Sequence, residues 1–248
     1  IRAVNATLPP TLKTLTQTLT LNNMQLSFDL PSAPALGRDD FLVSESNAIA
    51  MAALENPAAW PAGKLALIGE AGSGKTHLTH VWAEDTEAKI FDARRLNTAD
   101  IEALASAPLA VEHIEDIAGN PYLERAMFHL HNLILANRQP LLITGRREPT
   151  HWAIALPDLK SRMQGTPAIR IDAPDDMLLM QLLVKLFFDR GIDVKAPVVD
   201  YLVKRMDRSF HAAQYLVQAL DQEALARGKP IGLRLAGEVL DKIAPESA

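Results

Sequence analysis

Gly69, Glu70, Ala71, Gly72, Ser73, Gly74, Lys75 and Thr76 complete the pattern G-x-x-x-x-G-K-[ST]. Few stretches of eight residues restrict a fold so tightly. The pattern works only where its glycines turn the chain from a buried strand into a helix, because only there do the loop N–H groups and the positive end of the helix dipole converge on a polyphosphate. Both flanks fit. Residues 64–68 (K-L-A-L-I) read as a short buried strand, and residues 77–85 continue with a helical pattern. In that setting Lys75 reaches the outer phosphates and Thr76 offers its hydroxyl to Mg²⁺. The alternative is a glycine-rich turn with an incidental lysine, and the flanking strand and helix argue against it.

Composition sets outer bounds. With 248 residues and 48% hydrophobic side chains, the chain can bury a sizeable core in one or two domains. It contains no cysteine, which excludes disulfides and thiolate metal sites and fits a reducing compartment. No apolar run approaches the roughly 18 residues of a membrane span. A formal net charge of −5 argues against a general nucleic-acid coat. The pairs Arg94-Arg95 and Arg146-Arg147 could touch nucleic acid, but solvated loop or helix-end positions account for them more simply.

The beginning of the chain differs from the rest. Residues 1–23 hold six threonines, no acid and leucines at 8, 12, 15 and 19, and we read them as an extension ahead of a natural start at Met24. Next comes a peptide in which Gln25 is followed by Leu26, Phe28 and Leu30 at alternate positions, then a Pro/Ala/Gly linker to residue 37. Such a peptide can dock its apolar side chains into a partner's pocket, and an edge strand or an unstructured tail fits the same spacing. Residues 44–54 read as a helix capped by Ser46, ended by the prolines at 57 and 61.

From residue 64 the pattern alternates. Strands are expected at 64–68, 89–91, 109–114, 141–144 and 168–171, and helices at 75–85, 99–107, 122–137 and 156–163. This is the rhythm of an α/β fold, a parallel sheet covered by helices, whose ligands bind beyond the carboxyl ends of the strands. After Pro174 only helical patterns follow, punctuated by Gly191, Pro197, Gly228 and Pro230. The expected organisation is an extension (1–23), a docking peptide and linker (24–37), an α/β nucleotide-binding domain (38–173) and a small all-α lid (174–248).

A phosphate-loop sheet domain followed by a helical lid resembles the AAA+ ATPases. Finer motifs resemble the DnaA family and, within it, the Hda-type regulators. They are Asp40-Phe41-Leu42-Val43, Ser46-Asn47, Gly74-Lys75-Thr76-His77-Leu78, Ile114-Glu115-Asp116-Ile117-Ala118-Gly119, Leu141-Leu142-Ile143-Thr144-Gly145 and Leu156-Pro157-Asp158-Leu159-Lys160-Ser161-Arg162. The resemblance covers about residues 24–243. It implies an adenine nucleotide, with ADP as the resting ligand and ATP as the other, held with Mg²⁺ by residues 69–76 together with Phe41, Val43, His77 and His211. Thr76 and Glu112 would serve the metal, and Thr144 would monitor the outer phosphate as a sensor I group. Arg162 would be an arginine finger for a neighbouring subunit. Gln25, Leu26, Phe28 and Leu30 would bind the sliding clamp, the β subunit of DNA polymerase III. DnaA would be the second partner, self-association a further one, DNA contact weak or indirect, and the location the bacterial cytoplasm.

Three departures from the family pattern bear on hydrolysis. Glu112 and His113 stand where two acids are usual, and a neutral histidine is a poor water-orienting group. Arg146 stands where the family usually has Asp. His211, with Arg208 a turn earlier, stands where the lid usually supplies an arginine. The implied activity is therefore stimulation of hydrolysis on DnaA, with weak turnover by the chain itself. An autonomous AAA+ remodeller or loader is the enzymatic rival, and a single-strand-binding module using the arginine pairs is a third reading. Because the chain ends a few residues past its last helix, no initiator-type duplex recognition is expected. The remaining histidines form no metal-ligand pattern.

Overall fold

The computed structural model describes residues 37–38 and 41–243. The docking residues Gln25, Leu26, Phe28 and Leu30 lie outside the described residues, as does the 1–23 extension. Five strands, β1 (Lys64–Ile68), β2 (Lys89–Asp92), β3 (Leu109–Glu112), β4 (Leu141–Gly145) and β5 (Ala168–Arg170), pair in parallel in the order β2-β3-β4-β1-β5. Each parallel step needs a crossover, which the helices α2 (Lys75–Thr86), α3 (Ile101–Leu104), α4 (Pro121–Ala136) and α5 (Pro157–Gln164) supply. A further helix, α1 (Ala48–Leu54), precedes the sheet.

Strand periodicity divides the core in two. Ala66, Ile68, Leu109, Val111, Leu141 and Ile143 face one way, against Met127, Leu130 and Ile134 of α4. Leu65, Leu67, Ala110 and Leu142 face the other, against Met51 and Leu54 of α1 and Leu78, Val81 and Trp82 of α2. All five side chains of β1 are buried, as expected of a central strand in a sheet covered on both faces. Each fully buried Leu or Ile contributes about 1.5–3 kcal/mol.

Beyond the sheet, α6 (Asp176–Asp189), α7 (Ala196–Val203), α8 (Phe210–Arg227) and α9 (Leu233–Ile243) enclose a second core around Leu183, Phe187, Leu202, Leu216 and Leu220. Their ends obey local chemistry. Asp175 accepts from the Leu178 N–H at 2.7 Å to start α6, Ser209 accepts from the Ala212 N–H at 3.0 Å to start α8, and Gly228 closes α8 at φ 59°.

Several boundaries depart from the sequence reading. The third strand stops at Glu112 instead of reaching residue 114, because His113 takes up φ 58° and turns the chain into a 3₁₀ turn, Ile114–Ile117. The helix expected at 99–107 shrinks to α3, since Pro108 disfavours helical geometry just before it and Asp100, through the Ala103 N–H, caps the chain later than expected. The first helix begins at Ala48, and the expected cap, Ser46, hydrogen-bonds Ser44 instead. Asn47 turns back to hold the Ser44 N–H and the Leu42 carbonyl.

Candidate nucleotide-phosphate site

The phosphate loop joins the end of β1 to the start of α2, at the carboxyl edge of the sheet. Gly69 is packed so closely that a Cβ there would lie 2.5 Å from the Ile171 carbonyl and 2.7 Å from Ser73 Oγ. Gly72 turns at φ 73°. Lys75 folds over the loop, its Nζ donating to the carbonyls of Gly69 at 2.6 Å and Glu70 at 2.8 Å. Burial, and then the charge of Arg146, hold the Lys75 pKa below its ordinary value. Ser73 Oγ is buried with no hydrogen-bond partner.

Across from the loop, Thr76 Oγ1 donates to Glu112 Oε1 at 3.0 Å. Two oxygens at this spacing suit a Mg²⁺ ion that keeps several waters and takes its remaining ligands from phosphates. The described residues contain no group of three or more His, Cys, Asp or Glu that could hold a metal unaided, so any such ion arrives with an anion. The orphaned Ser73 hydroxyl, the glycine cradle and the Thr76–Glu112 pair therefore fit a phosphate chain with its magnesium.

The cleft is lined by Ala71, Gly72, Lys75 and Thr76 of the loop and the start of α2, and by Glu112, Glu115, Asp116, Thr144 and Arg146. Thr144, the expected sensor I group, is buried in β4 and lines the cleft. His113 also borders the cleft, but its Nδ1 lies 3.7 Å from Asp92 Oδ2. Asp92 in turn is held at a pKa of about 2, chiefly by hydrogen bonds from the Arg94 side chain.

The other expected binding residues do not line this cleft. Phe41 is buried, its ring edge-on to His77 with centroids 5.1 Å apart, while Val43 is exposed. His211 lies against the loop, its Cβ 3.7 Å from where a Gly72 side chain would begin. The Phe210 N–H donates to the Gly72 carbonyl at 2.9 Å, so α8 rests directly on the loop. Arg208 is engaged elsewhere, with Asp176 and the Pro174 carbonyl.

Arg162 is absent from the cleft lining. It lies near the end of α5, its guanidinium 5.1 Å from the centre of the Phe128 ring. Its carbonyl accepts from Lys64 Nζ at 2.8 Å, which places it at the end of β1 remote from the loop. The arginine pairs are mostly engaged within the chain. Arg94 pairs with Asp92, Arg95 lies over Phe91, and Arg147 lies 3.7 Å from Glu115.

Sequence reasoning missed three anchoring residues. Glu115 accepts from the N–H groups of Arg146 and Arg147 at 3.1 and 2.7 Å, and Glu124 accepts from those of Gly119, Ala155 and Leu156. Lys64 binds the far end of α5. Glu115 stands in one of the family motifs, but its contact, like those of Glu124 to α5 and of Lys64, joins segments distant in sequence that no spacing reveals.

No protein-family model matches the chain. Among curated proteins, an uncharacterized protein of Haemophilus influenzae is 24% identical over 183 residues, which span 70% of this chain and 79% of that protein. Domain III of the replication initiation protein DnaA of Thermotoga maritima superposes with a TM-score of 0.74 at 17% identity, covering 86% of this chain and 99% of that one. AMPPCP-bound DnaA from Aquifex aeolicus gives 0.66 at 16% identity over 85% of this chain and 70% of its own. A mutant of Thermotoga maritima RuvB gives 0.63 at 16% identity, over 83% and 71%. The fold is thus that of DnaA domain III, an AAA+ sheet with a helical lid. Among the described residues no helix is long and apolar enough to cross a membrane.

Proposed function

We propose that the chain is an Hda-like negative regulator of replication initiation, which binds an adenine nucleotide, docks on the sliding clamp and supplies Arg162 to ATP held by DnaA. The observation that carries this reading is the separation of Arg162 from the chain's own cleft. Lys64 ties the Arg162 carbonyl to one end of β1, while the phosphate loop leaves the other end, about 16 Å away at 3.3 Å per residue. This separation supports a role for Arg162 toward a neighbour's phosphates, the in-trans form of an arginine finger.

Nucleotide binding rests on the loop, Lys75 and the Thr76–Glu112 pair. The similar Aquifex aeolicus DnaA is AMPPCP-bound, which supports an adenine nucleotide, ADP or ATP, at this loop. Bound Mg²⁺ would neutralise phosphate charge beside Thr76 and Glu112. Weak intrinsic hydrolysis follows from His113, which sits beside Asp92 in place of an acid that could orient water. The docking peptide, Gln25, Leu26, Phe28 and Leu30, enters this proposal on its sequence alone.

The test is the conversion of DnaA-bound ATP to ADP in the presence of clamp loaded on DNA. Wild-type protein should accelerate it. Arg162→Ala should lose that acceleration by about 10³-fold or more, the scale of fingers supplied in trans, and Gln25→Ala with Leu26→Ala should lose it through failed docking. No acceleration, together with rapid hydrolysis by the isolated chain, would replace this reading with that of an autonomous AAA+ ATPase.

A further inference from the structure

The segment after β4 is pinned from two sides. Glu115 accepts from the backbone N–H groups of Arg146 and Arg147, and Trp152 Nε1 donates to the Arg147 carbonyl at 2.8 Å. Gly145 packs so tightly on the Trp152 ring that a Cβ would lie 2.8 Å from Cζ2. The backbone that launches the Arg146 side chain is therefore fixed. Arg147 points to Glu115, 3.7 Å away. The Arg146 guanidinium, by contrast, makes no hydrogen bond or ion pair among the described residues, although it is exposed in the cleft beside Lys75, Thr76, Glu112 and Thr144.

Two cations, Lys75 and Arg146, thus share one cleft with the carboxylates Glu112, Glu115 and Asp116. Lys75 already responds to Arg146, whose charge adds to burial in disfavouring the ammonium form. A multiply charged anion relieves that repulsion. A guanidinium also offers a rigid fork of N–H donors that matches two oxygens of one phosphate, where an ammonium acts as a point charge.

We propose that Arg146 is a phosphate ligand supplied in cis, which grips the terminal phosphate of a nucleoside triphosphate and makes this cleft prefer triphosphate over diphosphate. The proposal rests on the nucleotide-binding reading above. Position decides which phosphate is meant. Thr76 and Glu112 would hold a Mg²⁺ that arrives with the outer phosphates, and Arg146 and Thr144 line the same cleft. A diphosphate lacks the terminal phosphate whose oxygens the Arg146 guanidinium would take. With His113 standing where the family usually has an acid, the same arginine retains the triphosphate, in contrast to the ADP-bound rest state expected from resemblance.

The experiment is a fluorescence titration of the full chain with N-methylanthraniloyl-ATP and N-methylanthraniloyl-ADP, each with Mg²⁺ and with EDTA. The proteins are wild type, Arg146→Ala, Arg146→Lys and Lys75→Ala, with thermal melts to confirm folding. Wild type should bind the triphosphate more tightly, and Arg146→Ala should weaken it about 10- to 100-fold, as expected for loss of charge-assisted hydrogen bonds. Diphosphate affinity should change by less than about 3-fold, and Arg146→Lys should recover only part of the loss. Equal effects of Arg146→Ala on both nucleotides, or no effect on either, overturn the proposal while loss of binding in Lys75→Ala leaves the nucleotide reading standing. If wild type binds neither probe, both readings fall.

Discussion

At the residue scale, Lys64 and His131 show how a charge can be kept inside the core. Lys64 is only 7% exposed, yet its Nζ finds the Arg162 carbonyl at 2.8 Å and His131 Nε2 at 3.3 Å. Burial, with the charge of Lys64 second, pushes the His131 pKa from 6.5 down to about 4. The unfolded chain therefore takes up this proton first as the pH falls. Stability is fully present above about pH 6.5 and declines toward pH 4, by up to about 3 kcal/mol at 1.4 kcal/mol per unit. Urea unfolding at pH 7.0 and pH 4.5 should show that loss, and His131→Gln should flatten it. Asp92 loses its contribution only lower, between 3.8 and about 2, so the two windows separate. Nothing in the sequence around either Lys64 or His131 announces the pair, because 67 positions separate them and only sheet packing brings them together.

At the scale of elements, the strands were legible and their junctions less so. The apolar runs of β1, β3 and β4 were plainest because a central parallel strand has no polar face to blur the pattern, while the edge strands β2 and β5 are more exposed. The ends of β3 and α3 were misplaced because backbone dihedrals set them, at His113 and ahead of Pro108, and hydrophobicity is silent on both. Glu124 joins two elements in a way no pattern encodes. Buried in the first turn of α4, it accepts from the N–H groups of Ala155 and Leu156 at the entrance of α5, and from Gly119. Burial alone would raise its pKa, but these three backbone amides outweigh it and the carboxyl is lowered. Glu124→Gln keeps the shape and places an amide against amide donors. We expect a loss of about 2–3 kcal/mol, read as a lower urea midpoint at unchanged slope. Since α5 carries Arg162, the regulatory function proposed above requires that the same variant also reduce stimulation of ATP hydrolysis on DnaA.

At the scale of the whole molecule, the loop and the lid are one mechanical unit. A Cβ on Gly72 would meet Ser209 Cβ at 2.7 Å, on a residue already at φ 73°. Gly72→Ala should therefore displace the start of α8 and break the Phe210 N–H bond to the loop, at a cost of about 1–3 kcal/mol. A lower melting temperature and weaker triphosphate binding should appear together, while a change confined to the cleft would move only the second. The loop itself was legible from eight residues. The phosphate-facing role of Arg146 was not, because its meaning depends on which of two adjacent arginines Glu115 holds back.

The placement of Arg162 at the end of β1 remote from the phosphate loop has a geometric consequence. On the function proposed above, a subunit that receives phosphate on one side and donates Arg162 from another has direction, like an arrow with a head and a tail. Two such subunits joined head to tail make unlike surfaces meet, so no twofold axis relates them and the pair does not close on itself. Each pairing leaves one unused head and one unused tail. The stoichiometry of an assembly built this way is then set by whatever caps those two ends.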